Sequence, residues 1–213
     1  MTPKLYFAHG WSFEASFWHP VMKHLSDFSA LYTDEGYFKS SKEYPAFPDE
    51  VFFAIGHSAG SFFLFEHIPP QCAGIILFNG FSRFSSDGTF PHGVSPRVLT
   101  RMQKQLLHNP QEVLHSFRQR CGDHTAIPPT LNVHNLSQGL ADLAEKDYRP
   151  QAEHWLDKTH WMTGKDDPFS VTQNSFTKAG KIVEGGHLLP LERPELCASF
   201  IRNVIANNDP NIP

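Results

Sequence analysis

The sequence predicts an α/β protein: a shortened, mostly parallel sheet flanked by helices, with a helical insertion in its middle. Three observations predict it. Short apolar runs alternate with segments of helical periodicity, the pattern of parallel strands joined by crossover helices. Between Phe81 and His154 that alternation stops, and helical segments follow one another between Pro, Gly and Ser breaks. A length of 213 residues leaves room for one domain, or one domain carrying an insertion. The expected division is a core from 1–80 and 155–213 and a helical lid from 81–154.

In chain order, Lys4–Ala8 reads as a strand ending at His9-Gly10. Phe17, Val21, Met22 and Leu25 recur at helical spacing, which predicts a helix over 17–25 with Pro20 near its start. Residues 30–33 read as a second strand, followed by the loop Asp34-Glu35-Gly36. A third strand, 51–55, runs directly into Gly56-His57-Ser58-Ala59-Gly60. The helix expected over 59–67 is stopped by Pro69-Pro70, and a buried strand follows at 74–78. Within the insertion, Ser95-Pro96 and Asn109-Pro110 each set a capping residue before a proline suited to the first helical position. A third inserted helix is expected over 135–147. Strand character returns at 159–163 and 181–184, and an amphipathic helix over 194–206 closes the pattern.

Composition excludes several classes. Hydrophobic residues make up 40% of the chain and charged residues 19%, with 19 Phe, which suits a packed core and argues against disorder. Lys and Arg number 18 against 22 Asp and Glu, a formal net charge of -4, so no nucleic acid is expected as a partner. The apolar runs at 51–55 and 75–78 fall far short of the roughly 18 residues of a membrane span. Cys72, Cys121 and Cys197 are odd in number and form no CxxC pair, which suggests reduced thiols. The first residues run straight into a strand without the pattern of a signal peptide, so a cytoplasmic location is expected, and with it a monomer. The 13 His form neither HExxH nor a close cluster; no metal and no organic cofactor is expected.

The chemistry concentrates at four places. Residues 56–60 fit G-x-S-x-G between an apolar strand and a helix, the context in which a sharp turn exposes a serine nucleophile. Ser58 is that candidate, and glycines two residues to either side remove side chains that would collide in the turn. A serine hydroxyl needs a base, and the base an orienting carboxylate. Gly164-Lys165-Asp166-Asp167-Pro168 follows one later strand and Gly185-Gly186-His187 the next, in the order Ser, Asp, His. Asp167 is preferred as the acid, three residues after Gly164 and held extended by Pro168, with Asp166 as the alternative. His9-Gly10-Trp11 follows the first strand, so the Trp11 N–H and the Ala59 N–H are candidates for an oxyanion hole. The Trp11 side chain itself either lines a pocket or belongs to the core.

These motifs resemble the α/β-hydrolase superfamily: HGW at 9–11, D-x-G…S at Asp34, Gly36 and Ser40, GHSAG at 56–60, GKDDP at 164–168 and GGH at 185–187. The HGW, Phe17-Trp18, the small size and the helical insertion make the chain most similar to the pimeloyl-[acyl-carrier protein] methyl ester esterases of biotin synthesis. The resemblance implies an α/β-hydrolase fold and a serine carboxylesterase with catalytic Ser58, Asp167 and His187. It implies further that Trp11 and Ala59 contact the acyl group, and that Phe117, Arg118, Gln119, Arg120 and Cys121 fall where the lid meets substrate. The chain departs from the family in three places. The usual first two strands are missing, 41–50 is too short for a full helix, and Phe38 stands where a second glycine is usual.

Charge within the insertion adds a separate expectation. Arg97, Arg101 and Lys104 share one helix face, with Val98, Met102 and Leu106 on the other. Such a face can dock an acidic acyl carrier protein, or simply be solvated. Phe81, Phe84, Phe90 and Phe117 either line an acyl tunnel or form the insertion's own core. The expected activity is hydrolysis of an ester through an acyl-enzyme. Its alternatives are a generic small-molecule carboxylesterase or thioesterase, a lyase of the menaquinone-pathway type, and a catalytically silent binding protein of the same fold.

Overall fold

A computed structural model describes residues 2–169 and 171–208. Six strands form one sheet: β1 (Lys4–Ala8), β2 (Ala30–Tyr32), β3 (Phe52–His57), β4 (Cys72–Phe78), β5 (Thr159–Gly164) and β6 (Lys181–Val183). Their order is β2-β1-β3-β4-β5-β6, and every neighbouring pair is parallel. Parallel strands covered on both faces must be apolar throughout. β3 is buried at all six residues and apolar up to its last, His57.

The helices are α1 (His19–Met22), α2 (Gly60–His67), α3 (Pro96–Leu106), α4 (Pro110–Cys121), α5 (Val133–Glu145), α6 (Arg149–His154), α7 (Thr172–Ser175), α8 (Leu189–Glu192) and α9 (Pro194–Asn208). The helix expected over 17–25 divides into a 3-10 turn, Ala15–Trp18, and the short α1. Pro20 supplies no N–H and suits only the start of a helix, so a fresh helix begins at His19. Of the expected apolar positions, Phe17, Val21 and Leu25 are buried in the core and Met22 is partly buried against it.

Four helices, α3 to α6, occupy the interval between β4 and β5, and α3 packs against both α4 and α5. Ser95 and Asn109 stand at the N-caps of α3 and α4, but neither side chain makes a capping bond. α5 is capped instead by Asn132, whose side chain accepts the Asn135 N–H at 3.1 Å, so this helix starts ahead of 135. On α3, Arg97, Arg101 and Lys104 are exposed, and of the expected apolar face Leu106 is buried while Val98 is 42% exposed; Leu99 is buried beside them.

The two ends of this interval are tied together. Arg83 and Asp147 form an isolated antiparallel bridge, and the Arg83 guanidinium donates to the Asp147 carboxylate at 2.5 Å. Arg149 pairs with the same carboxylate at 2.6 Å, and Arg83 also holds Asp87 at 2.7 Å. The Arg149 and Arg83 bonds hold the Asp147 carboxyl well below the usual carboxylate range. A depressed carboxylate contributes stability that is fully present above its unfolded pKa and is lost as pH falls through the folded value. Asp147→Asn is therefore expected to cost about 1 kcal/mol, a discounted value for a partly exposed cluster. Thermal melts should show a fall of about 2–4 °C at pH 7 that closes as the pH is taken well below 4.

Candidate active site

β3 ends at His57, and the chain turns into α2 through Ser58 and Ala59. Ser58 has φ of 51°, the left-handed region, which costs a non-glycine residue about 1–3 kcal/mol. The turn is over-determined by its surroundings. The Ser58 N–H donates to the Phe78 carbonyl at 3.1 Å. Ser61 Oγ lies 2.6 Å from the Ser58 carbonyl oxygen and accepts the Phe81 N–H at 3.1 Å. A Cβ on Gly60 would lie 2.2 Å from the Ala8 carbonyl oxygen, so the turn can press on β1 only with glycine there.

The strands bring the three predicted side chains together at their C-terminal ends. His187 Nε2 lies 3.0 Å from Ser58 Oγ, and its Nδ1 lies 3.0 Å from each oxygen of Asp167. The geometry fits a serine O–H donating to Nε2 and an Nδ1–H donating to the carboxylate. Asp166 is exposed on the turn and takes no part, its N–H bonding the Gly185 carbonyl at 3.0 Å. Ser58 is 6% exposed and His187 1%. At the oxyanion positions, neither the Trp11 nor the Ala59 N–H donates to an acceptor among the described residues.

Several groups that sequence reasoning missed hold this arrangement. Asn79, at the end of β4, adopts φ of 50° and is fully buried. Its amide nitrogen lies 2.7 Å from Asp167 Oδ2, 3.1 Å from Thr163 Oγ1 and 3.2 Å from the Gly186 carbonyl oxygen. With the Phe169 N–H bonded to Asp167 Oδ1 at 2.8 Å, the carboxylate is hydrogen-bonded on both oxygens. His57 lies at the motif position before the serine. Its Nε2 is 3.0 Å from the His187 carbonyl oxygen, so it donates there, while Nδ1 has no hydrogen-bond partner among the described residues. Burial holds this imidazole well below the ordinary histidine range, so it stays neutral. Nothing in the sequence around His57 or Asn79 separates them from core residues.

Other expected positions have different roles. The Trp11 side chain is core: it is 1% exposed and donates its indole N–H to the Leu136 carbonyl of α5 at 2.9 Å. Asp34 and Gly36 brace a turn, with the Gly36 N–H on Asp34 Oδ1 at 2.8 Å, while Ser40 is exposed. A cavity of about 460 Å³ lies among α3, α4 and α5. Of the five residues expected at the substrate, Phe117 and Arg120 line it and Arg118, Gln119 and Cys121 do not. Gln119 is exposed and Cys121 is buried. The buried Arg118 reaches instead to the turn after Trp11, donating from Nε to the Ser12 carbonyl at 3.0 Å. Phe84 joins the lining, whereas Phe81 and Phe90 are core. Of the three basic residues on α3, only Arg101 reaches the cavity.

The cavity meets the hydrogen-bonded chain across Phe169. That ring lines the cavity, stacks on Phe117 at 5.8 Å and stands edge-on to the His187 ring at 5.0 Å. Among the described residues, no three His, Cys, Asp or Glu side chains group as a metal ion would require. No helix among them is long and apolar enough to cross a membrane. Asn79→Asp keeps the shape and the tolerance of positive φ but turns a donor into a carboxylate facing Asp167. Labelling of Ser58 by a fluorophosphonate is expected to slow by about tenfold or more at pH 7, with far-UV circular dichroism unchanged.

No family model matches the chain. A curated relative, the "Biotin biosynthesis bifunctional protein BioHC" of Cellvibrio japonicus (strain Ueda107), is 26% identical over an alignment of 175 residues. That alignment covers 69% of this chain and 35% of the relative, so the chain spans about a third of that protein's length. Among solved structures, a hydrolase from Oleispira antarctica superposes with a TM-score of 0.79 at 15% identity, covering 98% of this chain and 92% of the other. A bromoperoxidase from Bacillus anthracis gives 0.76 at 13% identity, with coverages of 96% and 92%. An esterase from Exiguobacterium antarcticum gives 0.74 at 16% identity, with coverages of 95% and 91%. With its all-parallel sheet, its strained serine turn after β3 and these superpositions over nearly its whole length, the chain has the α/β-hydrolase fold.

Proposed function

We propose that the protein is a serine carboxylesterase. The observation that carries this reading is the continuous hydrogen-bonded chain from Ser58 through His187 to Asp167. His187 takes the Ser58 proton as the hydroxyl oxygen bonds the ester carbonyl carbon, and the negative charge on the carbonyl oxygen is met by the Trp11 and Ala59 N–H groups. The tetrahedral species expels the alcohol, which receives the proton from His187, and leaves an acyl-enzyme. Water attacks that acyl group with the same histidine as base, releasing the acid and restoring Ser58. Asp167 keeps Nδ1 protonated and offsets the charge of the imidazolium. No step calls for a metal or an organic cofactor.

The segment 81–154 acts in this reading as a lid over the site. The finer substrate we favour is the methyl ester of a pimeloyl group on an acyl carrier protein, hydrolysed to the acid and methanol. It is supported by the partial likeness to a biotin biosynthesis protein and by the exposed basic face of α3. Arg97 and Lys104, which stay outside the cavity, are then the residues that meet an acidic carrier.

Two measurements test this. Fluorophosphonate should label the wild type and fail on Ser58→Ala; equal labelling of both proteins would remove the esterase reading. Purified protein should demethylate carrier-bound methyl pimelate at least about tenfold faster, in kcat/KM, than the free ester, with the excess lost in Arg97→Glu/Lys104→Glu. Equal rates on both substrates would leave the esterase and remove the carrier.

A further inference from the structure

Taking the esterase reading as its basis, we infer that the cavity among α3, α4 and α5 holds an acyl chain that ends in an oxyanion, bound by the guanidinium groups of Arg101 and Arg120. Its walls suit an alkyl chain: Val98, Leu99, Met102, Val113, Phe117 and Leu143 face it. A volume of about 460 Å³ is in the range of small-molecule sites. Two cations from two different helices line one cavity whose remaining wall is mostly apolar.

Three of the other four arginines from 79 to 149 show the contrast, and the fourth, Arg97, is unpaired among the described residues but lies outside the cavity. Arg83 and Arg149 are spent on Asp147, and Arg118 is spent on Ser12 and Asp123. Arg101 and Arg120 form no ion pair or hydrogen bond among the described residues, although both line the cavity. Arg120 is also placed relative to the chemistry. Its guanidinium lies 5.1 Å from the centroid of the Phe169 ring, and the same ring lies 5.0 Å from the His187 ring. One aromatic ring thus separates the cation from the base. A guanidinium fork matches a carboxylate or phosphate in two parallel hydrogen bonds, and both arginines are exposed residues of the cavity lining, open to an entering anion. Glu112 also lines the cavity and weighs against an anion; its carboxylate accepts from the Ser116 hydroxyl at 3.3 Å.

The shared chemistry is an oxyanion beyond an apolar chain, supplied by the carboxylate of a free half-ester or by the phosphate of a carrier's prosthetic arm. The experiment compares kcat/KM for methyl heptanoate, monomethyl pimelate and carrier-bound methyl pimelate in the wild type and in Arg101→Met/Arg120→Met. A free half-ester is the source if the wild type prefers monomethyl pimelate over methyl heptanoate by about tenfold or more and the double variant loses that ratio through KM. The carrier's phosphate is the source if only the carrier-bound ester loses its advantage. Glu112→Gln should raise whichever ratio responds. Unchanged ratios for both anionic substrates overturn the inference. Calorimetry on Ser58→Ala reads the subsite without turnover: monomethyl pimelate or the carrier-bound ester should bind at least about tenfold more weakly once both arginines are changed. Equal binding there overturns the subsite even if Ser58 is a working nucleophile, whereas weakened binding in a protein that fluorophosphonate never labels would keep the subsite and remove the esterase.

Discussion

The arrangement depends on one strained turn. Ser58 sits in left-handed backbone between β3 and α2, where its side chain meets His187. A turn of that shape persists only when its neighbours leave no alternative. Here the Phe78 carbonyl takes its N–H, Ser61 takes its carbonyl, and Gly60 lets the Ala8 carbonyl close in from β1. A cost of about 1–3 kcal/mol is offset by two hydrogen bonds of about 1 kcal/mol each. Because β1 and β4 both press on the turn, it also fixes Ser58 relative to the His9-Gly10-Trp11 segment on one side and Asn79 on the other.

From this turn the remaining groups are set by contacts across the sheet. His57 spans from β3 to the His187 loop, and Asn79 spans from β4 to the Asp167 loop. Each holds a loop that sequence alone would leave unconstrained. The helices between β4 and β5 are coupled to the other half of the site, since Trp11 bonds α5 and Arg118 of α4 bonds the carbonyl after Trp11. Movement of those helices therefore bears directly on the turn that carries the Trp11 N–H.

The sheet and the three side chains it brings together, Ser58, Asp167 and His187, are legible because their signals are local. Apolar runs end at G-x-S-x-G, at GKDDP and at GGH, and parallel strands bring consecutive C-terminal ends to one edge. Short helices were not legible: α6, α7 and α8 span four to six residues, too few for periodicity to register. His57 and Asn79 matter through partners more than eighty residues away, and no spacing encodes that. The resemblance puts Arg118 at the substrate, whereas the structure turns it onto the buried Ser12 carbonyl, a partner more than a hundred residues away that no spacing encodes. Arg120, two residues on, is exposed and lines the cavity.

The central claim is that Ser58 becomes acylated because His187 and Asp167 are already aligned with it. Rapid-quench mass spectrometry of the intact protein, mixed with an excess of an activated p-nitrophenyl ester, measures this directly. The account predicts a burst of about one nitrophenol per active site and one acyl adduct on the peptide containing Ser58, with both lost in His187→Ala. Linear release without an adduct, or an adduct on any other residue, would contradict it.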